Sequence, residues 1–374
     1  MWSLALALLC TASLAWQAAT AIGAALQPAR RRFSTPRNDT TITPPVSVIV
    51  PVSDPATTLD ACVESLLTLD YPRYEIILCA ATSDRSALGR MSHLARHHSA
   101  VRTVIVETIP YANPKVALLT AALARAEHDI VLLTDDNVVS QPGRLRAHLA
   151  CMHGSVGLVS AAHIGLPAAG FWSQVDAAFM NGGFARLHLA ADFAGMTHVM
   201  GGSILLSQRQ LSASGGLPQT GGTLCEDATL RARYARTGRA AALCAEPVVK
   251  LVPERTLSEV WERHLRWFHC RSRHAPVPFA LEALLSPLVA ATAAAAAAPA
   301  FDLSGPLAAA VVLAMALLIE LMLVRIMRWP CGPLFVPAWL MRELLVLPLW
   351  FSALGARTVR WRGRRMAFTT VDTD

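Results

Sequence analysis

The chain has 374 residues, 53% of them hydrophobic and only 16% charged, with a formal net charge of +7 and a mean hydropathy of +0.40. These values exclude a disordered polyelectrolyte and a small disulfide-stapled module, and they sit badly with a soluble enzyme, in which about a quarter of residues are charged. The length accommodates one core of roughly 200–250 residues plus membrane elements.

Lys115 and Lys250 are the only lysines; every other basic residue is arginine. The arginines cluster beside apolar runs, which suits anionic phospholipid headgroups, and no nucleic-acid partner is expected. No two of the eight cysteines stand in a CxxC or at zinc spacing, so neither a disulfide framework nor a structural zinc is expected.

Residues 1–27 are apolar apart from Gln17, Gln27 and small polar residues, and Arg30, Arg31 and Arg32 follow at once. A secretory signal carries its positive charge before the apolar run. The reverse order reads as an N-terminal transmembrane anchor with these arginines in the cytoplasm, a cleaved signal being the alternative. A polar linker, 28–45, ends in Pro44 and Pro45. Apolar strands are then predicted at 46–50 (VSVIV), 74–80 (YEIILCA), 101–106 and 130–134 (IVLLT), with helices between them at 57–69, 86–97 and 114–126. This alternation predicts crossover units and a mostly parallel sheet, and continuous apolar strands predict cover on both faces.

Further strands are expected at 156–160, 201–206 and 240–245, and helices at 168–190, 226–236 and 256–270. The α/β domain therefore extends over 46–255. An amphipathic, Arg- and Trp-bearing interfacial segment follows at 256–274. The membrane region, 275–355, holds two long apolar stretches and a third, 334–352, with Arg342 and Glu343 at its middle. A charged pair there requires the segment to lie at the interface, to re-enter, or to span with the pair facing other helices. By the positive-inside rule the basic tail, 356–374, prefers the cytoplasm, which a re-entrant third segment satisfies. The whole reads as a multi-pass protein of the cell inner membrane with its α/β domain in the cytoplasm.

Three motifs can carry chemistry. Asp135-Asp136-Asn137 follows the strand IVLLT, at the strand end where open parallel sheets bind ligands. These residues suit either a hard divalent cation bridging a diphosphate or a turn with an N-cap. Glu226-Asp227 opens a helix, as a cap or as a carboxylate able to take a proton. Arg263-His264-Leu265-Arg266-Trp267 places two guanidinium groups three residues apart, on one helix face, suited to a diphosphate or to headgroups. Asn113-Pro114-Lys115 opens another helix, with Lys115 in reach of a phosphate or merely at the surface. Gly201-Gly202 and Gly221-Gly222 suggest turns or close backbone approach.

Taken in order, these residues resemble the inverting, nucleotide-sugar-dependent glycosyltransferases of GT-A fold, most closely the ceramide glucosyltransferase family and its bacterial relatives, hopanoid-associated ones included. The likeness rests on LDYPRYE at 69–75, Asn113-Pro114-Lys115, Asp135-Asp136-Asn137, Gly202-Ser203, Glu226-Asp227, the Arg-Trp motif and WRGR near the end. It implies a Rossmann-like nucleotide-sugar domain flanked by N- and C-terminal transmembrane helices. It also implies a Mg2+ or Mn2+ cofactor, a UDP-sugar donor (glucose foremost) and a membrane lipid acceptor such as ceramide. A hopanoid, diacylglycerol or polyprenyl phosphate is the alternative acceptor, and a non-catalytic nucleotide- or lipid-binding protein the alternative class. Carried over by position, Asp135 coordinates the metal, with Asn137 and Asp136 beside it. Asp227 is the general base, and Arg263, Arg266 and Trp267 hold diphosphate and acceptor. Lys115 stabilises the leaving group. The family's first aspartate falls on Thr82, a departure that Asp84 could make good.

Overall fold

The computed structural model describes residues 2–34, 43–53, 55–355, 358–361 and 364–367. Most of the polar linker, and Arg357, Arg362 and Gly363 of the basic tail and WRGR motif, lie outside the described residues. The chain divides into two compact units.

One unit comprises Pro28–Ile164 and Gly195–Pro253. Its strands, in chain order, are β1 (Val46–Pro51), β2 (Tyr74–Ala81), β3 (Val101–Val106), β4 (Ile130–Thr134), β5 (Val138–Val139), β6 (Val156–Ser160), β7 (His163–Pro167, which runs out of the unit), β8 (Ser203–Ser207), β9 (Ala240–Leu243) and β10 (Val248–Val252). Seven form one sheet in the order β3-β2-β1-β4-β8-β6-β9. The pairs β1–β2, β2–β3, β1–β4 and β6–β9 are parallel, whereas β8 runs antiparallel to both β4 and β6. The expected mostly parallel sheet is therefore present, with β8 reversed.

Alternate residues of the apolar strands enter two different cores. Val48, Val50, Ile76 and Leu78 join one cluster, and Ile49, Ile77, Cys79, Val131 and Leu133 the other. This is the cover on both faces that unbroken VSVIV and EIILCA require, since successive side chains leave opposite faces of a strand. The parallel run β1, β2, β4 brings their carboxyl ends to one edge of the sheet. The reversed β8 brings its amino end, and Gly201-Gly202 before it, to the same edge.

The other unit comprises Met1–Gln27, Gly165–Ala194 and Glu254–Ala367. Residues 165–194 thus group with the apolar helices rather than with the α/β domain of the 46–255 reading. The expected helix over 168–190 is broken: α-helical turns Phe171–Ala178 and Arg186–Phe193 flank a π-helical segment, Phe179–Ala185, that holds both Gly182 and Gly183. Helices Trp2–Ser34, Gly305–Met327 and Phe335–Gly355 are each long and apolar enough to cross a bilayer, and the pair Pro276–Leu284 and Pro287–Phe301 bends by 44° at its break. The chain is a membrane protein. On Gly305–Met327, Leu307, Val311, Leu318, Met322 and Ile326 are exposed while Val312, Ala316, Glu320, Leu323 and Val324 are buried, leaving an apolar stripe for lipid.

The two glutamines of the N-terminal helix are buried by hydrogen bonds within this unit, Gln17 to the Leu285 carbonyl at 3.0 Å and Gln27 to Asp192 at 2.8 Å. The third apolar stretch forms one continuous helix, Phe335–Gly355, instead of a re-entrant segment. Arg342 makes a two-pronged pair with Glu320, 2.7 Å on each arm, and also binds Glu343. Trp339 adds a hydrogen bond to Glu320 at 3.1 Å. These partners offset the cost of ionic groups among apolar helices. Cys10, Cys62, Cys79, Cys151, Cys244 and Cys331 are free thiols.

Candidate active site

The carboxyl-end edge of the sheet collects three acids and two lysines. Asp135 is the first residue after β4. The helix Pro114–Leu123 supplies Lys115 and starts on Asn113, whose Oδ1 accepts from the amides of Lys115 (3.0 Å) and Val116 (3.4 Å), with Pro114 in the first turn. Capping by Asn and Pro at that position fix the helix start, and so the direction of Lys115. Lys115 Nζ lies 3.0 Å from Asp135 Oδ1, 3.1 Å from Glu226 Oε1 and 3.0 Å from the Gly201 carbonyl. Lys250, on β10, places its Nζ 2.6 Å from Asp135 Oδ2. Asp227 Oδ2 accepts from the Gly201 amide and its Oδ1 from the Ala228 amide, both at 2.8 Å. Asn113 Nδ2 completes the ring by donating to Glu226 Oε2 at 3.2 Å.

The glycine pair lets the backbone approach the charged side chains closely. A Cβ on Gly201 would stand 3.1 Å from Asp227 Oδ2, 3.2 Å from Glu226 Oε1 and 3.4 Å from Lys115 Nζ. One on Gly202 would stand 2.7 Å from His163 Cε1, 2.8 Å from Asp135 Oδ2 and 2.9 Å from Lys250 Nζ. The backbone thus enters the charged cluster where side chains would collide.

Charge is distributed unevenly over the acids. Burial alone would raise the Asp135 carboxyl, but the ammoniums of Lys115 and Lys250 hold it well below the usual range. Asp227 is pushed the other way, to about 6, by burial and by the neighbouring Glu226, against the opposing pull of Lys115 and its two amide donors. Beneath the edge, Arg144 binds Ser140 and Ser203 at 2.6 Å each, and His148 Nε2 lies 2.9 Å from Ser203 Oγ. Burial, with Arg144 nearby, drives the His148 imidazole down to about 3, so it is neutral and structural.

The remaining residues of the Asp-Asp-Asn motif shape the turn. Asp136 accepts from the Ser53 amide (3.3 Å), and its carbonyl accepts from Thr58 Oγ1 (3.2 Å). Asn137 Nδ2 donates to the Leu251 carbonyl at 3.0 Å, joining β5 to β10. Thr82 follows β2 at this same edge with its amide donating to Val106, and Asp84 stands at the N-cap of Arg85–His97.

The Arg-Trp motif belongs to the other unit, in helix Leu257–His274, whose start is a complete capping box between Thr256 and Glu259. Arg263 Nε lies 3.3 Å from Asp176, and its guanidinium sits 4.5 Å from the centre of the Trp267 ring. His264 is fully buried, bonded to Asp176 Oδ1 at 2.8 Å and stacked on Phe179. Burial lowers its imidazole to about 4. Trp267 packs edge-on against Phe184, with ring centres 4.6 Å apart. Arg266 lies on the same helix, partly exposed.

A profile of glycosyl transferase family 21 matches residues 5–372. The chain belongs to this family. Ceramide glucosyltransferase 1 of Caenorhabditis elegans is 25% identical over 245 residues, 64% of this chain and 53% of that protein. Ceramide glucosyltransferase 3 of the same organism is 24% identical over 238 residues, 62% and 52%. The chain thus spans about half the length of these relatives. The mannosyltransferase PcManGT from Pyrobaculum calidifontis, solved in complex with GDP-Man and Mn2+, superposes with a TM-score of 0.57 at 21% identity, covering 93% of this chain and 99% of that one. That likeness is one of fold, and it agrees with the GT-A architecture.

In this family 21 chain, Asp135 was legible as an acid after an apolar strand, Asp227 as an acid opening a helix, and Lys115 as a lysine in an arginine-rich chain. Lys250 was not: within VVKLV it reads as a polar interruption of a strand. Its only signal is rarity, since both lysines of the chain meet at Asp135. Glu226 was seen only as the partner of Asp227. Among the described residues, Glu75, Glu127 and His128 are the one group of three such side chains that approach one another closely enough for a metal. They sit at the opposite edge of the sheet, where both carboxylates already bind Arg102, at 2.7 and 2.6 Å.

Proposed function

We propose that the chain is a membrane glycosyltransferase that moves a sugar, glucose foremost, from a UDP-sugar to a lipid hydroxyl such as that of ceramide, with inversion. The observation that carries this reading is Asp227. It is a carboxyl raised to about 6 and tied through Gly201 to the Lys115–Asp135 pair. Family membership and the nucleotide-sugar and Mn2+ ligands of the mannosyltransferase support a diphosphate-bearing donor.

The donor set fits a hard divalent cation. Asp135 offers carboxylate oxygens that already draw two ammoniums, the hard-oxygen chemistry such an ion takes. Asp135 would hold such an ion, with Asn137 and Asp136 beside it, and the ion would neutralise charge on the departing diphosphate. Ionised Asp227 accepts the proton of the lipid hydroxyl as its oxygen attacks the anomeric carbon. The Gly201 and Ala228 amides hold that carboxylate in one orientation. Lys115 supplies fixed positive charge to the leaving group. Thr82 and Asp84 are assigned to the nucleotide. Arg263, Arg266 and Trp267 are assigned by resemblance to diphosphate and acceptor. A cytoplasmic face of the inner membrane suits a soluble donor and a bilayer-bound acceptor.

Membranes containing the protein are to be incubated with radiolabelled UDP-glucose, UDP-galactose or UDP-GlcNAc, and the lipids then extracted. Label in a ceramide-like band is expected. Label in a hopanoid, diacylglycerol or polyprenyl phosphate band reassigns the acceptor, and no labelled lipid with any donor defeats the reading. Asp135→Asn and Asp227→Asn are each expected to abolish transfer, and full activity in either removes its role.

A further inference from the structure

Lys250 is 6% exposed, and its Nζ lies 2.6 Å from Asp135 Oδ2. Its neighbours on β10, Val248, Val249, Leu251 and Val252, are apolar. Burying an ammonium in such a strand is unfavourable unless a counter-charge meets it, so its position is tied to the carboxylate. Lys115 holds the other oxygen, Oδ1, and contacts three acceptors, matching the three N–H groups of an ammonium. Gly202 brings its backbone so close to the second pair that a Cβ would meet both Asp135 Oδ2 and Lys250 Nζ within 3 Å. A divalent cation bound to Asp135 meets an ammonium at either oxygen, and because Lys115 is also held by Glu226 and the Gly201 carbonyl, Oδ2 is the oxygen at which the ion shares the carboxylate with Lys250 or displaces it.

A cation arriving alone adds two positive charges beside two ammoniums. A cation arriving with a nucleoside diphosphate brings the negative charge that compensates them, and it offers Lys250 phosphate oxygens in place of Asp135. We propose that Lys250 is a resident counter-cation which couples metal binding to nucleotide binding, keeping the bare ion weakly held and moving to the diphosphate when the two ligands enter together. This rests on the reading of Asp135 as the metal-holding carboxylate.

The test uses the full chain in detergent and reads free Mn2+ by electron paramagnetic resonance, with and without UDP. In the unsubstituted protein UDP is expected to tighten Mn2+ binding by about tenfold or more, a common size for coupling between two sites. Lys250→Met is expected to bind Mn2+ alone about tenfold more tightly and to lose most of the enhancement by UDP, whereas Lys250→Arg keeps it. Unchanged Mn2+ affinity and unchanged enhancement in Lys250→Met overturn the proposal. Circular dichroism and the thermal midpoint report folding; if Lys250→Met unfolds, Lys250→Gln is read by the same criterion. Asp135→Asn separates the two claims. Loss of Mn2+ there, with Lys250→Met indifferent, sinks the role of Lys250 alone, and undiminished Mn2+ binding there sinks the reading of Asp135.

Discussion

Asp135 and Asp227 stand at one edge of one sheet, yet their surroundings drive the two carboxyls apart. Two ammoniums keep Asp135 ionised far below neutral pH, while burial and Glu226 lift Asp227 to about 6. Opposed shifts of this kind separate a permanent anion from a proton acceptor. The acceptor works only when ionised, so kcat/KM for lipid glycosylation is expected to fall about tenfold per pH unit below 6 and to level off above it; a profile flat from pH 5 to 8 contradicts the assignment. The same shift has a stability consequence. A carboxyl raised from 3.8 to about 6 on folding contributes stability at low pH that is lost as pH rises through 6. Asp227→Asn should therefore raise the thermal midpoint at pH 8 and leave it nearly unchanged at pH 4. At this scale the acids were legible because carboxylates after an apolar strand, or opening a helix, are conspicuous. Their ionisation was not, because it depends on Lys250 and Glu226, neighbours distant along the chain or unremarkable within it.

Among elements, strands were the easiest to read. Runs such as VSVIV and IVLLT are β-branched and apolar throughout, and they form β1 and β4 as expected. The short β5 and the strand β10 carried no such signal, although β10 delivers Lys250. The approach to β8 depends on two residues without side chains. Gly202→Ala is expected to abolish transfer and lower the thermal midpoint, because its methyl would meet Asp135 Oδ2 at 2.8 Å and Lys250 Nζ at 2.9 Å. An active Gly202→Ala protein would show that the edge has room to open. The π-helical segment was hidden from a periodicity argument, since 168–190 has helical spacing and only its glycines hint at a break. Gly182 supplies a physical reason: a Cβ there would overlap both Glu320 and Arg342.

For the whole molecule, apolar length foretold the membrane helices, and the placement of arginine beside them foretold an orientation that remains the proposal above. The fate of Arg342 and Glu343 could not be foretold, since a charged pair inside an apolar run permits three arrangements. Packing selects burial, with Glu320 gripping Arg342 from a helix 22 residues away in sequence. Removing one member leaves buried charge unpaired, a loss of about 3–5 kcal/mol. Arg342→Met is expected to lower the thermal midpoint in detergent sharply, and Glu320→Gln added to it to restore part of the loss. No change in Arg342→Met would show that the pair is solvated.

Local patterning by itself determined the alternating α/β order, the two-sided cover of the sheet, the apolar helices and the chief candidate acids, because strand and helix periodicities and hydropathy are properties of neighbouring residues. Tertiary structure alone decided that both lysines converge on Asp135, that the Gly201-Gly202 backbone closely approaches the charged side chains, that Asp227 is raised while Asp135 is lowered, and that residues 165–194 group with the membrane helices. Each depends on atoms brought within about 3–4 Å from distant parts of the chain, where charge and steric exclusion act at full strength.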